Sequence, residues 1–140
     1  MKVSGKPIGE FRGKTIGMRI VEILENGMKT ESTDQATGRL LGTDAEHIGT
    51  DWNVWRFPDK ISGEGIGVIT SKSGEIATYT ASAFGKGTVG SSEVKLHGII
   101  NFRSSTSEWS SLDGSSFPVT YEVDSEDNIH WKIWEWKEKT

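Results

Sequence analysis

The chain has 140 residues, with 16 Lys and Arg against 20 Asp and Glu, a formal net charge of −4 and no cysteine. The length favours one domain, the charge argues against nucleic acid as the main partner, and the lack of cysteine excludes disulfides, thiolate metal sites and thiol nucleophiles. No apolar run approaches the ~20 residues of a membrane span, and no signal peptide is evident, so we expect a soluble cytoplasmic protein.

The predicted elements begin after a basic, glycine-containing segment, residues 1–14, which we expect to be an N-terminal arm. The single domain is predicted to span residues 15–140. Alternating polar and apolar residues predict eight strands, over residues 15–24, 28–41, 43–57, 61–70, 75–84, 93–104, 117–123 and from about 129 onward. Asn26-Gly27 between the first two strands favours a type I′ hairpin turn.

The hydroxyl-rich segment 104–111 has no nucleophile motif and no base beside it. Serine and threonine are good turn and cap residues, so residues 106–112 are predicted to form one short, capped helical turn. Trp109 and Leu112 have the i, i+3 spacing that would turn both side chains inward.

Eight sequential strands with short connections predict an all-β protein, a closed eight-stranded antiparallel up-and-down β-barrel with at most one short helical turn. Closure would remove the exposed sheet edges. A sandwich of two sheets is the alternative. The interior of an eight-stranded barrel is either filled by side chains or wide enough for one small ligand, and both possibilities remain open.

The last strand carries three of the six tryptophans. Trp131 shares one face with two isoleucines, whereas Trp134 and Trp136 share the other. Because an exposed strand should be apolar on one face only, we expect cover on both faces. One cover is the barrel interior, and the other is the N-terminal arm or another subunit. We therefore predict a homo-oligomer, a dimer or trimer, with interface candidates Trp134, Trp136 and His97.

Aromatic side chains with polar tips suit a pocket for a flat or apolar molecule, and equally a plain barrel core. The candidate ligand-binding residues are Trp52, Trp55, Tyr79 and Tyr121. Alternation puts Trp55 on one face of the third strand with His47, Asp51 and Asn53. Trp52 lies on the opposite face.

The fourth strand carries a column of alternate glycines, Gly63, Gly65 and Gly67. It lacks the Lys-Ser/Thr of a phosphate-binding loop, so we interpret it as a structural feature that allows coiling or close ring packing. Glu64 lies opposite the column. If it points inward it is a candidate acid or base with a raised pKa, and if outward it is a solvated charge.

The segment Glu93-Val94-Lys95-Leu96-His97-Gly98, preceded by a glycine-rich loop, resembles part of the plant allene oxide cyclases. The whole chain resembles small prokaryotic proteins of the allene oxide cyclase-like barrel type. The resemblance implies an allene oxide cyclase-like or lipocalin-like barrel and an oligomer. It does not carry the cyclase activity over, because the plant enzymes have a pocket cysteine and this chain has none. Glu22 and Glu64 are the candidates for a catalytic glutamate.

Three functions remain open. The first is a barrel that binds a small hydrophobic or aromatic ligand in its interior. The second is a cofactor-free cyclase or isomerase acting on a hydrophobic substrate. The third is a solid-core structural oligomer without an interior ligand. No cofactor is expected, and no metal, because the three histidines lack the i, i+2 spacing that would put two imidazoles on one strand face.

Overall fold

The protein is described here by a computed structural model, for the backbone of residues 3–136 and the side chains of residues 5–136. Residues 1–2 and 137–140 of the predicted segments lie outside the described residues. Eight strands follow one another along the chain: β1 (Val3–Leu24), β2 (Gly27–Leu40), β3 (Thr43–Arg56), β4 (Lys60–Ser71), β5 (Ile76–Gly87), β6 (Val94–Ser104), β7 (Ser116–Val123) and β8 (Asn128–Trp136).

Each strand pairs antiparallel with the next, and β8 pairs with β1, so the sheet closes into a barrel in simple sequential order. The predicted fold class is therefore confirmed, and the sandwich alternative is wrong. The inner face carries alternate residues of every strand, as the strand period of two requires.

The segment expected to be an N-terminal arm is instead the first half of β1. Residues 9–14 pair with β8 on one side and β2 on the other. Phe11 is fully buried inside the barrel, and its ring stacks on Trp131 with centroids 4.7 Å apart. Gly13 is required beside it, since a Cβ there would overlap the backbone of the neighbouring strand. The basic residues that suggested an arm alternate with these inward positions.

The turn predicted at Asn26-Gly27 is present, but it is centred one residue earlier. The loop consists of Glu25 and Asn26, and of these only Asn26 has positive φ, 61°. Gly27 begins β2, where a Cβ would overlap the Trp55 carbonyl oxygen. Glycine is therefore required at position 27 because β2 and β3 approach each other closely there. The two positive φ values of a type I′ turn occur at the next hairpin, at Leu41 and Gly42.

A short 3₁₀ turn, η1 (Ser110–Leu112), plugs one end of the barrel. Trp109 and Leu112 are almost fully buried there, so their predicted inward packing is confirmed. The Ser115 hydroxyl donates a hydrogen bond of 3.1 Å to the Ser111 carbonyl oxygen at the end of this turn, but the side chain of the N-cap residue, Trp109, makes no capping hydrogen bond. Instead the buried carboxylate of Glu75 accepts a hydrogen bond of 2.9 Å from the Trp109 backbone N–H.

The opposite end of the barrel is less complete. The pairing of β1 with β8 stops at Lys14, so residues 17–24 pair with β2 alone. Several apolar side chains of this segment, including Met18, Ile20 and Ile23, are exposed. Within residues 3–136, no helix has the length and apolar character needed to cross a membrane.

Candidate ligand-binding cavity

A cavity of about 680 Å³ occupies the barrel interior between the plugged end and the open end. Its apolar and aromatic walls include Trp55, Leu96, Ile100 and Trp131. It continues to the open end, where the exposed Met18 is one of the residues that border it. The volume falls within the range of small-molecule sites, ~300–1,000 Å³.

The glycine column of β4 makes room for polar side chains inside the barrel. Gly63 and Gly65 lie opposite Asn53 and Asp51 of β3. A Cβ at Gly65 would come within 2.5 Å of an Asp51 carboxylate oxygen, and a Cβ at Gly67 within 2.5 Å of the Tyr79 ring. The column therefore has the structural role that the sequence suggested, and the groups packed against it are largely polar.

Two carboxyl groups and a phenol form the polar centre of the cavity. Asp34 of β2 pairs with Gly49, and Asp51 of β3 pairs with Ser32, so both acids lie on the inner face of adjacent strands. The Tyr121 hydroxyl donates a hydrogen bond of 2.9 Å to Oδ2 of Asp34. The cluster thus joins β2 and β3 to β7 across the barrel interior.

Burial changes the ionisation of these acids. Burial and the negative charge of Asp34 raise the pKa of Asp51 to about 8, although hydrogen bonding to Tyr121 partly offsets the effect. Burial raises the pKa of Asp34 to about 6. The Tyr121 pKa is raised well above its ordinary value by burial and by the two carboxylates. At neutral pH the pair therefore carries close to one negative charge.

A neutral imidazole also lines the cavity. His47 Nε2 is 2.6 Å from the Tyr79 hydroxyl oxygen, and the His47 ring packs edge-on against Trp131 with centroids 4.9 Å apart. Burial lowers the pKa of His47 to about 4 and raises that of Tyr79 well above its ordinary value. His47 therefore contributes hydrogen-bonding atoms at neutral pH but no positive charge.

Three buried polar atoms in the cavity wall have no hydrogen-bond partner among the described residues. They are Oδ1 of Asp34, Nδ1 of His47 and Nε1 of Trp131. Asp34 is 3% exposed, His47 5% and Trp131 3%. Because buried polar groups in folded proteins are nearly always paired, these atoms are suited to meet complementary groups of a bound molecule.

Three of the four predicted ligand-binding residues line the cavity: Trp55, Tyr79 and Tyr121. The fourth requires a correction, because Trp52 lies on the outer face of β3. Its indole N–H donates a hydrogen bond of 2.9 Å to Glu31, which also points outward from β2. The alternation that turns Trp55 inward turns Trp52 outward, so Trp52 is excluded from the interior.

The two glutamates considered for catalysis are both exposed, Glu22 on β1 and Glu64 on β4. The open alternative for Glu64 is thereby decided in favour of an outward, solvated charge. The acids that point into the cavity are Asp34 and Asp51, whereas Glu64 and Asp127 border it with exposed side chains. A signal for Asp51 existed, since it shares a strand face with Trp55, whereas Asp34 lies in a strand too polar to indicate its inner face.

The three interface candidates all lie on the outside of the barrel. Trp134 is half-buried and donates a hydrogen bond of 3.0 Å to the Thr120 hydroxyl, and Trp136 is 50% exposed. His97 is exposed on β6 and meets the Phe84 ring edge-on, with centroids 4.5 Å apart. Part of the cover expected for Trp134 is thus supplied by β7. In the described part of the chain, no three His, Asp or Glu side chains converge to hold a metal ion.

No protein-family model and no curated protein matches this chain. Its structure is similar to the crystal structure of RPA1785, a conserved protein of unknown function from Rhodopseudomonas palustris. The TM-score is 0.74 at 10% sequence identity, over 95% of this chain and 97% of that one. At that identity the similarity shows the fold alone, a barrel whose architecture is compatible with ligand binding.

Proposed function

We propose that this protein binds a small, mostly apolar or aromatic molecule inside its barrel. The observation that carries the proposal is the interior cavity of about 680 Å³, in which tryptophan, tyrosine and aliphatic side chains surround a polar centre. Such a lining is typical of small-molecule sites, in which apolar walls supply affinity and few polar atoms supply orientation. A cavity of this volume does not favour the solid-core alternative.

The experiment compares two variants that add the same ring on opposite faces of β5. Ala81 lines the cavity, whereas the adjacent Ser82 is exposed on the outside. The probe is N-phenyl-1-naphthylamine, a neutral aromatic dye whose fluorescence rises when it leaves water. We expect Ala81→Phe to weaken dye binding by about tenfold or more, because the new ring occupies ligand space, and Ser82→Phe to bind as the wild type does.

Circular dichroism and thermal unfolding establish that both variants are folded. Equal dye binding by the wild type and a folded Ala81→Phe variant would contradict interior binding. Failure of the wild-type protein to bind the dye would also count against the proposal.

A second candidate function is a cofactor-free cyclase or isomerase of the allene oxide cyclase-like type. The observation that favours it is a pair of carboxyl groups with raised pKa values, Asp34 and Asp51, inside a mostly apolar cavity. Such groups suit proton transfer near neutral pH, and they replace Glu22 and Glu64 as candidates. The test is chiral chromatography of products from unsaturated lipid epoxides, since uncatalysed cyclisation gives a racemate. A racemic product at the uncatalysed rate would exclude cyclisation of these epoxides.

We propose in addition that the protein is a cytoplasmic homo-oligomer. Support for self-association comes from residues 17–24 of β1, which pair on one side only and expose apolar side chains. An apolar strand edge of this kind favours pairing with another strand. Trp136 and His97 remain candidates for a second contact on the outer face. The absence of cysteine is consistent with a reducing compartment.

A further inference from the structure

The charge of the cavity is unbalanced. Asp34 and Asp51 both line it, and no lysine or arginine is found among the described lining residues. His47 is neutral because burial lowers its pKa to about 4. The only described hydrogen bond from a side chain to the Asp34 carboxyl group comes from the neutral Tyr121 hydroxyl. The walls therefore supply negative charge to the cavity without a compensating positive group.

An unpartnered oxygen indicates where a ligand would complete this centre. Oδ1 of Asp34 accepts no hydrogen bond from the described residues, although Asp34 is only 3% exposed. A buried carboxylate oxygen without a donor is unfavourable. A bound molecule with a donor at this position would remove that cost, and Asp51 lies close enough for its pKa to respond to the charge of Asp34.

A cationic donor fits this centre better than a neutral one. A hydroxyl group would donate one hydrogen bond and leave the repulsion between the two acids unchanged. An ammonium group has three donors and a positive charge, so it can donate to both acids and balance the negative charge that the pair carries at neutral pH. The aromatic walls add to this preference, because rings such as Tyr79 and Trp131 attract cations to their faces.

We propose that the natural ligand is a lipophilic amine, whose ammonium group lies between Asp34 and Asp51 and whose apolar body packs against Trp55, Leu96 and Ile100. This inference rests on the proposed interior binding and specifies the class of ligand. The unpaired Nε1 of Trp131 and Nδ1 of His47 provide further hydrogen-bonding positions in the cavity wall for a polar substituent of the ligand.

The experiment uses three probes with one apolar body and different head groups, 4-phenylbutylamine, 4-phenylbutanol and 4-phenylbutanoic acid. Each competes with N-phenyl-1-naphthylamine for the wild-type protein at pH 7. We expect the amine to bind about tenfold or more tightly than the alcohol, because its hydrogen bonds are charge-assisted. The acid should bind most weakly, since its carboxylate meets two buried acids.

Asp34→Asn and Asp51→Asn preserve side-chain shape and remove one acid each. We expect Asp34→Asn, which removes the acid that is mainly ionised at pH 7, to reduce the amine preference to within about threefold of the alcohol, and Asp51→Asn, which removes the mainly protonated acid, to reduce it less. The matched control is Glu46→Gln, which removes an exposed carboxylate from the outer face of β3 and should leave the preference unchanged. If one Asn variant does not fold, the other variant and the comparison of the three probes on the wild-type protein still test the amine inference.

If the three probes compete equally for the wild-type protein, the amine inference is wrong, although interior binding still stands. An amine preference that persists in both Asn variants would overturn the amine inference as well, because the preference would then arise elsewhere. Absence of dye binding, or dye binding that Ala81→Phe does not change, would instead overturn the proposed function.

Discussion

Three ionisable residues that line the cavity, Asp34, Asp51 and His47, have shifted pKa values because they are largely removed from water. Burial favours the uncharged form of each, which raises the pKa of Asp34 and Asp51 and lowers that of His47. The acids also repel each other, so the proton on Asp51 is retained to higher pH. These shifts make protein stability depend on pH in a definite direction.

Asp51 should make the protein less stable as the pH rises from 6.5 to 8. Its pKa is 3.8 ordinarily and about 8 in the folded protein. Between pH 6.5 and 8 the folded state therefore binds more protons than the unfolded state, and the free energy of unfolding falls as the pH rises. The lowered pKa of His47 acts in the opposite direction, mainly below pH 6.5. We expect the free energy of unfolding to fall by roughly 1–2 kcal/mol across this window, measured by urea denaturation.

Asp51→Asn should remove most of that decrease and be more stable than the wild type at pH 8. Glu46→Gln, with its exposed side chain, should keep the wild-type pH dependence. An unchanged slope in Asp51→Asn would mean that another group binds the proton.

At the scale of one element, β4 contributes few side chains to the core, but its glycines make room for side chains of neighbouring strands. Its inward glycines, among them Gly65 and Gly67, contribute no side chain to the core. In return they leave space for groups of neighbouring strands, including Asp51 and the Tyr79 ring. The strand thus determines how far polar side chains can reach into the barrel.

Gly67→Ala should destabilise the protein, because its Cβ would come within 2.5 Å of the Tyr79 ring. Displacing that ring also disturbs its hydrogen bond to His47. We expect a loss of about 1–3 kcal/mol, as for other overpacked interiors, measured by chemical denaturation. The control is Gly17→Ala on β1, where no atom lies within 4 Å of the added Cβ. Similar losses in both variants would indicate a general loss of strand flexibility instead of a steric conflict.

At the scale of the whole molecule, the barrel has two unlike ends. Trp109 and Leu112 plug one end, and the cavity continues to the other. At the open end β1 extends beyond its pairing with β8, so residues 17–24 have one unpaired edge. A second copy can add to this edge about a two-fold axis, because the same strand then serves both partners.

Self-association should therefore depend on the apolar side chains of this edge. Ile20 is 55% exposed on β1, and Ile48 is 47% exposed on the outer face of β3, away from the edge. We expect the wild type to be oligomeric by light scattering coupled to size exclusion, Ile20→Lys to shift it towards monomer, and Ile48→Lys to leave its mass unchanged. A wild type that remains monomeric at high micromolar concentration would exclude this association.

The candidate site was only partly predictable. Trp55, Tyr79 and Tyr121 were identified because aromatic residues with polar tips are conspicuous in alternating strands. Asp34 was missed because the inner face of β2 also carries Thr30 and other polar residues, so no apolar period marks it. The segment 1–14 was misassigned because its inner positions are mostly glycine, which gives no hydrophobic signal.

The sequence by itself determined the number of strands, their approximate positions apart from the first half of β1, and which residues share a face, because side-chain alternation and turn chemistry are local properties. Only the tertiary structure decided which face points inward and which side chains meet, because those depend on closure of the whole sheet. Asp34 and Tyr121 are 87 positions apart and form one hydrogen bond. Their meeting inside a hollow barrel, where burial raises the pKa of Asp34 and Asp51, is what turns a tryptophan-rich set of strands into a candidate binding site.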